Sequence, residues 1–411
     1  MAVTAGPPAE GFKLSQLIYD TRYRGMTIQI VALFALMLSF AWLISNAVAN
    51  LEALGKTFSF AFLWSTSGYD VNQRLLEYSS QSTHGRAAVL GIMNTLVLAL
   101  VGCITATILG VLAGVARLSK NWIVARLMTV YVEAFRNVPL LLWIIIVVAV
   151  VNETLPAPRD FRGTETGAFV FTNRGFYFPE PLFSRSFGDI DLGLFKISID
   201  LLAIVAVLVA GLYVSKRFGA WADATQAATG DRPANVLWYR LGVVFGPLIL
   251  LLVIMGFHLG YAELKGFNFK GGTYVRDSFI GLWIALSLYT GAFIAEAVRA
   301  GIQSVSKGQT EAAYALGIQP GRTMSLVILP QALRVIVPPL ISQYLNLTKN
   351  TSLAIAIGYM DATGTLGGIT LNQTGREMET LLLLMGFYLI VSLSISFVMN
   401  VYNERTKLKE R

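Results

Sequence analysis

The chain has 411 residues, 55% of them hydrophobic and only 14% charged, with a mean hydropathy of +0.61. That is too apolar for a water-soluble domain of ordinary composition and identifies an integral membrane protein. The formal net charge of +8 sits mostly in short Lys/Arg runs between apolar segments, the pattern of orientation signals and not of a nucleic-acid surface. A single Cys103 excludes an intramolecular disulfide, and His84 and His258 are too few for a His/Cys cage, so no metal site is expected.

Lys13, Arg22 and Arg24 precede a first apolar run at 26 to 48. Ala47-Val48-Ala49 imitates a cleavable site, but the run exceeds the roughly 7 to 15 residues of a signal h-region, which predicts a retained anchor. Runs at 88 to 116 and 128 to 151 come next, the second with Pro139 inside it as an expected kink. Residues 152 to 278 read as an insertion. It comprises a long polar loop, spans at 197 to 214 and 236 to 257, and the Gly-rich "LKGFNFKGGTY"; Asp200 falls near the end of the first of these spans. The polar loop containing 157 to 185 would either cap the bundle or contact an external protein. Spans at 279 to 298, 335 to 358 and 380 to 402 complete the chain, with the polar stretch 299 to 334 between the first two.

Each run approaches the roughly 20 apolar residues that cross a bilayer, which predicts an all-α polytopic protein with about eight transmembrane helices. The expected organisation is 1–87 (N-terminal segment, extra helix and loop), 88–151 (first part of a core), 152–278 (insertion), 279–402 (second part of the core) and 403–411 (basic tail). An even number of spans puts both termini on one side. Lys and Arg are denser in the N-terminus, in 117–127, 215–235 and 299–334, and in the tail "NERTKLKER", which predicts that this side is the cytoplasm.

The stretch "SKGQTEAAYALGIQPGRTMSLVILPQALRVIVPP", 306 to 339, is neither a span nor a simple linker. Glu311, Ala312, Ala313 and Ala315 suit a helix with a small-residue face, Gly317 suits its C-terminus, and Pro320-Gly321 suits a turn. A second short helix at 322 to 329 is expected to be broken by Pro330. The product would be a compact helical elbow.

Charges inside apolar segments are costly and usually functional. Lys349 lies near the middle of the 335 to 358 run, among Asn346, Thr348, Asn350, Thr351 and Ser352. The group would line a path for a substrate carboxylate, or form an interhelical hydrogen-bond cluster, or give the lysine a carboxylate on another helix. Glu133/Arg136 and Glu296/Arg299 are spaced i, i+3, as local ion pairs or as part of a coupling surface.

Glu-Ala-Ala, then Gly317, then "VILP" at 327 to 330 resembles the EAA loop of ABC importer permeases, with Val327 where the family more often has Ile. "AFIAEAVRAGIQSVSKGQTEAAYALG", "NTLVLAL" at 94 to 100, "YVEAFRNVPLLL" at 131 to 142 and "KNTSLA" at 349 to 354 are similar to its polar amino acid branch. The extra first span and the insertion are similar to the longer permeases of general L-amino-acid and glutamate/glutamine/aspartate/asparagine uptake.

The resemblance implies a five-helix type I importer core in a bacterial inner membrane. It also implies an elbow (Glu311, Ala312, Ala313, Gly317, Pro330) docked on a cytoplasmic ATPase dimer. A second homologous permease and a periplasmic amino-acid-binding protein would complete the assembly, surrounded by lipid. This chain is expected to bind no cofactor and to hydrolyse no ATP. Gly55-Lys56-Thr57 only grazes a P-loop, because Asn50 stands where its first glycine should be. An ion-driven secondary transporter or channel would call for inverted repeats and central carboxylates, and a membrane enzyme for a convergent catalytic set. Neither pattern is visible.

Overall fold

The computed structural model describes residues 16–406, except residues 54, 56, 72, 164–166, 192, 194 and 195. Lys13, Lys56 and residues 407–411 of the basic tail therefore lie outside the described residues. Two units are present, 1–61 and 62–411. Among its described residues, the first has one long helix, α1 (Thr21–Ala53), preceded by a helical turn at Gln16–Tyr19.

In the second unit, the segment that carries Tyr69, Val71 and Tyr78 packs onto the helix that begins at His84. Val71 and Tyr78 bury themselves against Ala87 and Leu90, and Asn94 donates to the Gln73 carbonyl at 3.1 Å. That helix is α2 (His84–Ala116), begun by the Thr83 hydroxyl, which accepts the Arg86 amide. The expected third span at 128 to 151 is two helices, α3 (Trp122–Asn137) and α4 (Leu140–Thr154). The kink expected at Pro139 is in fact a break. Proline disfavours helical backbone in the residue before it, and Val138 is extended (φ −113°, ψ 135°). Phe135 stacks on Trp143 across the break, with ring centroids 4.0 Å apart.

The polar insertion is not all-α. Strands β1 (Val170–Thr172), β2 (Gly175–Phe178), β3 (Glu180–Phe183), β4 (Asp189–Asp191) and β5 (Lys196–Ser198) precede the helical hairpin α5 (Ile199–Thr229) and α6 (Val236–Ile254). Strands β6 (Phe257–Gly260), β7 (Glu263–Lys265), β8 (Asn268–Lys270) and β9 (Thr273–Arg276) come after it. β2 pairs antiparallel with both β1 and β9, and β3 with β6, so the inserted chain returns to where it left. A run of aromatic residues, Phe176, Tyr177 and Phe178, in which Tyr177 is buried and its neighbours half-buried, with Gly at the turns, favours strand over helix. Asp200, expected simply near a helix end, is buried. It accepts Ser186 Oγ at 2.6 Å and the Phe187 amide at 2.8 Å, tying the loop to α5.

The longer helices that follow are α7 (Asp277–Gln303), the elbow helix α8 (Lys307–Ala315), α9 (Leu329–Asn350) and α10 (Glu377–Thr406). Eight helices among the described residues are long and apolar enough to cross a membrane. α7 is the central one, and α2 lies along it on small residues. A methyl added at Gly110 would come within 2.5 Å of Ile294, and one at Gly114 within 2.8 Å of Val298. Glycine is required because the helices touch backbone to side chain, the usual means of close packing where lipid supplies no hydrophobic drive.

Candidate functional site

The elbow's sharp end is built by Gly317. Its φ of +73° is left-handed, the Ile318 amide reaches back to the Ala313 carbonyl (3.1 Å), and the Gly317 amide reaches the Tyr314 carbonyl (2.9 Å). This is a complete Schellman closure of α8. Pro320 then opens a helical turn at Pro320–Thr323, where it has no amide to leave unsatisfied. The buried Thr323 hydroxyl caps the turn from inside on the Ile318 and Gln319 carbonyls.

Pro330 does not break the second helix as expected. The turn Met324–Ile328 widens to a π-helical ladder and runs directly into α9, so the missing proline amide is absorbed by the wider turn. Glu311, Ala312, Gly317 and Pro330 are exposed, together with Tyr314 and Leu316, which is 80% exposed. Ala313, by contrast, is buried and forms the inner face of α8.

At the same end, the charged pairs form one cluster that joins three helices. Glu296 on α7 accepts Arg299 Nη2 at 2.5 Å, the expected i, i+3 pair, and also Arg117 Nη1 at 2.5 Å from the end of α2. The expected pair of Glu133 with Arg136 is not formed. Arg136 reaches Glu296 instead, at 3.7 Å, with its guanidinium 5.6 Å from the Phe293 ring centre, while Glu133 faces Arg117 at 3.8 Å. The cause is tertiary: α3 packs beside α7, and a half-buried carboxylate ringed by arginines offers Arg136 a drier partner than its helical neighbour.

The Lys349 group divides in two. Asn346 and Lys349 are exposed on α9, with no carboxylate paired to the lysine among the described residues. Asn350 and Ser352 are half-buried, and Ser352 Oγ bonds the Lys349 carbonyl. Thr351 is fully buried and turns inward, with its hydroxyl 3.5 Å from that of Tyr388 on α10. Lys349 is also not mid-helix, because α9 ends at Asn350 and continues as a 3-10 turn, Thr351–Ile357, closed by Gly358 at φ +68°.

Beyond Gly358 lies a residue that sequence reasoning missed, Asp361. It is fully buried, accepts the Gly364 amide at 2.8 Å, and meets Tyr388 Oη at 3.4 Å. Burial, with no cation paired to it among the described residues, pushes its carboxyl up to about 7. Asn94 and Thr95 of "NTLVLAL" clamp the same turn. Asn94 donates to the Met360 carbonyl at 2.8 Å, and Thr95 Oγ1 accepts the Ala362 amide at 3.0 Å. The available signal was an acidic residue between a glycine and the Gly-rich "TGTLGG". It went unread because it lies just outside the apolar run.

Residues 232–408 match the family described as binding-protein-dependent transport system inner membrane components. The chain is 56% identical, over the full length of both, to the glutamate/glutamine/aspartate/asparagine transport system permease protein BztB of Rhodobacter capsulatus. It is 42% identical to the general L-amino acid transport system permease protein AapQ of Rhizobium johnstonii, covering 98% of this chain and 96% of that one. A crystal structure of an amino acid ABC transporter with histidines aligns at 18% identity and TM-score 0.44, over 78% of this chain and 95% of that one. With near-complete coverage by such relatives and eight apolar helices of spanning length, the chain belongs to the inner-membrane permeases of amino acid ABC transporters.

Proposed function

We propose that this chain translocates polar L-amino acids, including acidic ones and their amides, and that it draws its energy from a separate ATPase through the elbow. The observation that carries the coupling is the Schellman-closed α8, which presents Glu311, Ala312 and Leu316 outward on a rigid corner. The Glu296 cluster beside it holds the ends of α2, α3 and α7 together, so that a push on one is transmitted to the others. An ATPase dimer shifts the permease between outward and inward access only by binding one state better than the other. The density of Lys and Arg supports an orientation with the elbow and both termini in the cytoplasm.

A second permease would complete the pore. The exposed Asn346 and Lys349 then face it, and the lysine is the group that meets a substrate carboxylate. ATP would be held by the ATPase and the free amino acid delivered by a periplasmic binding protein.

Coupling is tested by co-purification in detergent of wild type against a Glu311→Lys, Gly317→Arg double variant. Loss of the ATPase with retention of a second permease supports the reading; an unchanged set of partners refutes it. For the path, Lys349→Met is expected to lower uptake of glutamate and aspartate at least tenfold in reconstituted complex. Wild-type uptake of both would remove Lys349 from the path.

A further inference from the structure

At the strand-bearing end of the bundle, two cavities of opposite character meet at one side chain, Arg86. Below it is a groove of about 430 Å³ along the outer face of α2 and the start of α10. Its walls are apolar, with Leu63, Val89, Ile92 and Leu383 among them, and Trp64, also in its lining, is 76% exposed. Above it is a cleft of about 710 Å³ between residues 74–78 and the β4–β5 hairpin. The charged residues of that cleft are three cations, Arg74, Arg86 and Lys196, and three carboxylates, Glu77, Asp189 and Asp191.

These charges are not equally satisfied. Arg74 is paired with Asp70 at 2.6 Å, and Lys196 with Glu77 at 2.9 Å. Arg86 donates only to carbonyls, from Nε to Glu77 (2.7 Å) and from Nη1 to Gly193 (3.3 Å). Carbonyls orient a guanidinium but leave its charge uncompensated. Asp189 and Asp191 form no ion pair within 4 Å among the described residues, but Lys196, which lies opposite Asp191 in the β4–β5 register, is near enough for both carboxylates to raise its pKa; Asp191 also accepts the Gly193 amide. The cleft thus holds one cation, Arg86, at its junction with the apolar groove, and on the β4–β5 hairpin two carboxylates that share a single lysine, Lys196, with Glu77. With Asp70, the partner of Arg74, included, the formal charge is −1.

We propose that this is a binding site for a phospholipid with an amine-bearing, zwitterionic head group. One acyl chain lies in the groove over Val89, Ile92 and Leu383, and the phosphate meets Arg86 at the apolar boundary. The ammonium reaches the carboxylates of the β4–β5 hairpin. Trp64 marks the membrane interface, where aromatic rings with one polar edge collect. The carboxylates select against an anionic lipid without an amine, which would place its negative charge beside them.

The test is native mass spectrometry of the full-length chain, purified with its partners, during titration with phosphatidylethanolamine, phosphatidylglycerol, phosphatidylcholine and free phosphoethanolamine. A saturable phosphatidylethanolamine adduct is expected, at least tenfold tighter than that of phosphatidylglycerol. Arg86→Gln should weaken it tenfold or more, Arg86→Lys should retain most of it, and Leu383→Trp should remove it by filling the groove. Arg86→Lys and Leu383→Trp separate loss of the site from loss of folding, which monodispersity on gel filtration monitors. Equal binding of all three lipids overturns the proposal, as does binding unaffected by Arg86→Gln and Leu383→Trp. So does phosphoethanolamine binding as tightly as the lipid.

Discussion

Replacing Asp361 by Asn is the most informative single change in this chain. The carboxyl is buried with no cation paired to it among the described residues, and its pKa rises from an ordinary 3.8 to about 7. A carboxyl whose folded-state pKa lies above its unfolded value binds more protons in the folded state between those two values, so stability falls as pH rises between about 4 and 7. A shift of about three units, at about 1.4 kcal/mol each, corresponds to about 4 kcal/mol between the two ends of that window. Asparagine would keep the acceptor for the Gly364 amide and offer an amide to Tyr388, with no charge to bury. Thermal unfolding, followed through the seven tryptophans in detergent at pH 5, 6, 7 and 8, reads the difference. The wild type should unfold at lower temperature at each step from pH 5 to 7 and change little from pH 7 to 8, and Asp361→Asn should show a shallower profile and exceed the wild type at pH 8. A wild-type profile that is flat or rises with pH, or a variant with the same slope, would refute the argument.

Glu296→Gln should destabilise the chain by about 3 kcal/mol, because it leaves the buried Arg117, whose side chain is only 8% exposed, with the exposed Glu133 at 3.8 Å as its carboxylate. The check is denaturation in detergent, with Glu133→Gln, which removes only an exposed partner at 3.8 Å, expected to change stability by less than about 1 kcal/mol. Gly110→Leu should abolish stable folding, since even its Cβ would sit 2.5 Å from Ile294; gel filtration after expression decides, and a monodisperse product would mean that α2 and α7 are less tightly packed than described.

The number of spans and the membrane class were legible because they rest on the local, additive cost of placing apolar segments in lipid, which a single run of residues already carries. The elbow was legible for the same reason. Its end depends on one residue able to adopt φ near +70°, and Gly317 announces that by type. The partners of the charges were not legible. Glu133 and Arg136 are helical neighbours in sequence, but only the packing of α3 beside α7 brings Glu296 within Arg136's reach. Pro330 misled because its penalty depends on the width of the preceding turn, which the backbone widened. Lys349, Thr351 and Asp361 lie within a dozen positions of one another, yet one is exposed and two are buried. Type and spacing determined which residues are polar in an apolar setting. Only the tertiary fold decided which of them face one another, because burial and pairing depend on segments far apart in the chain.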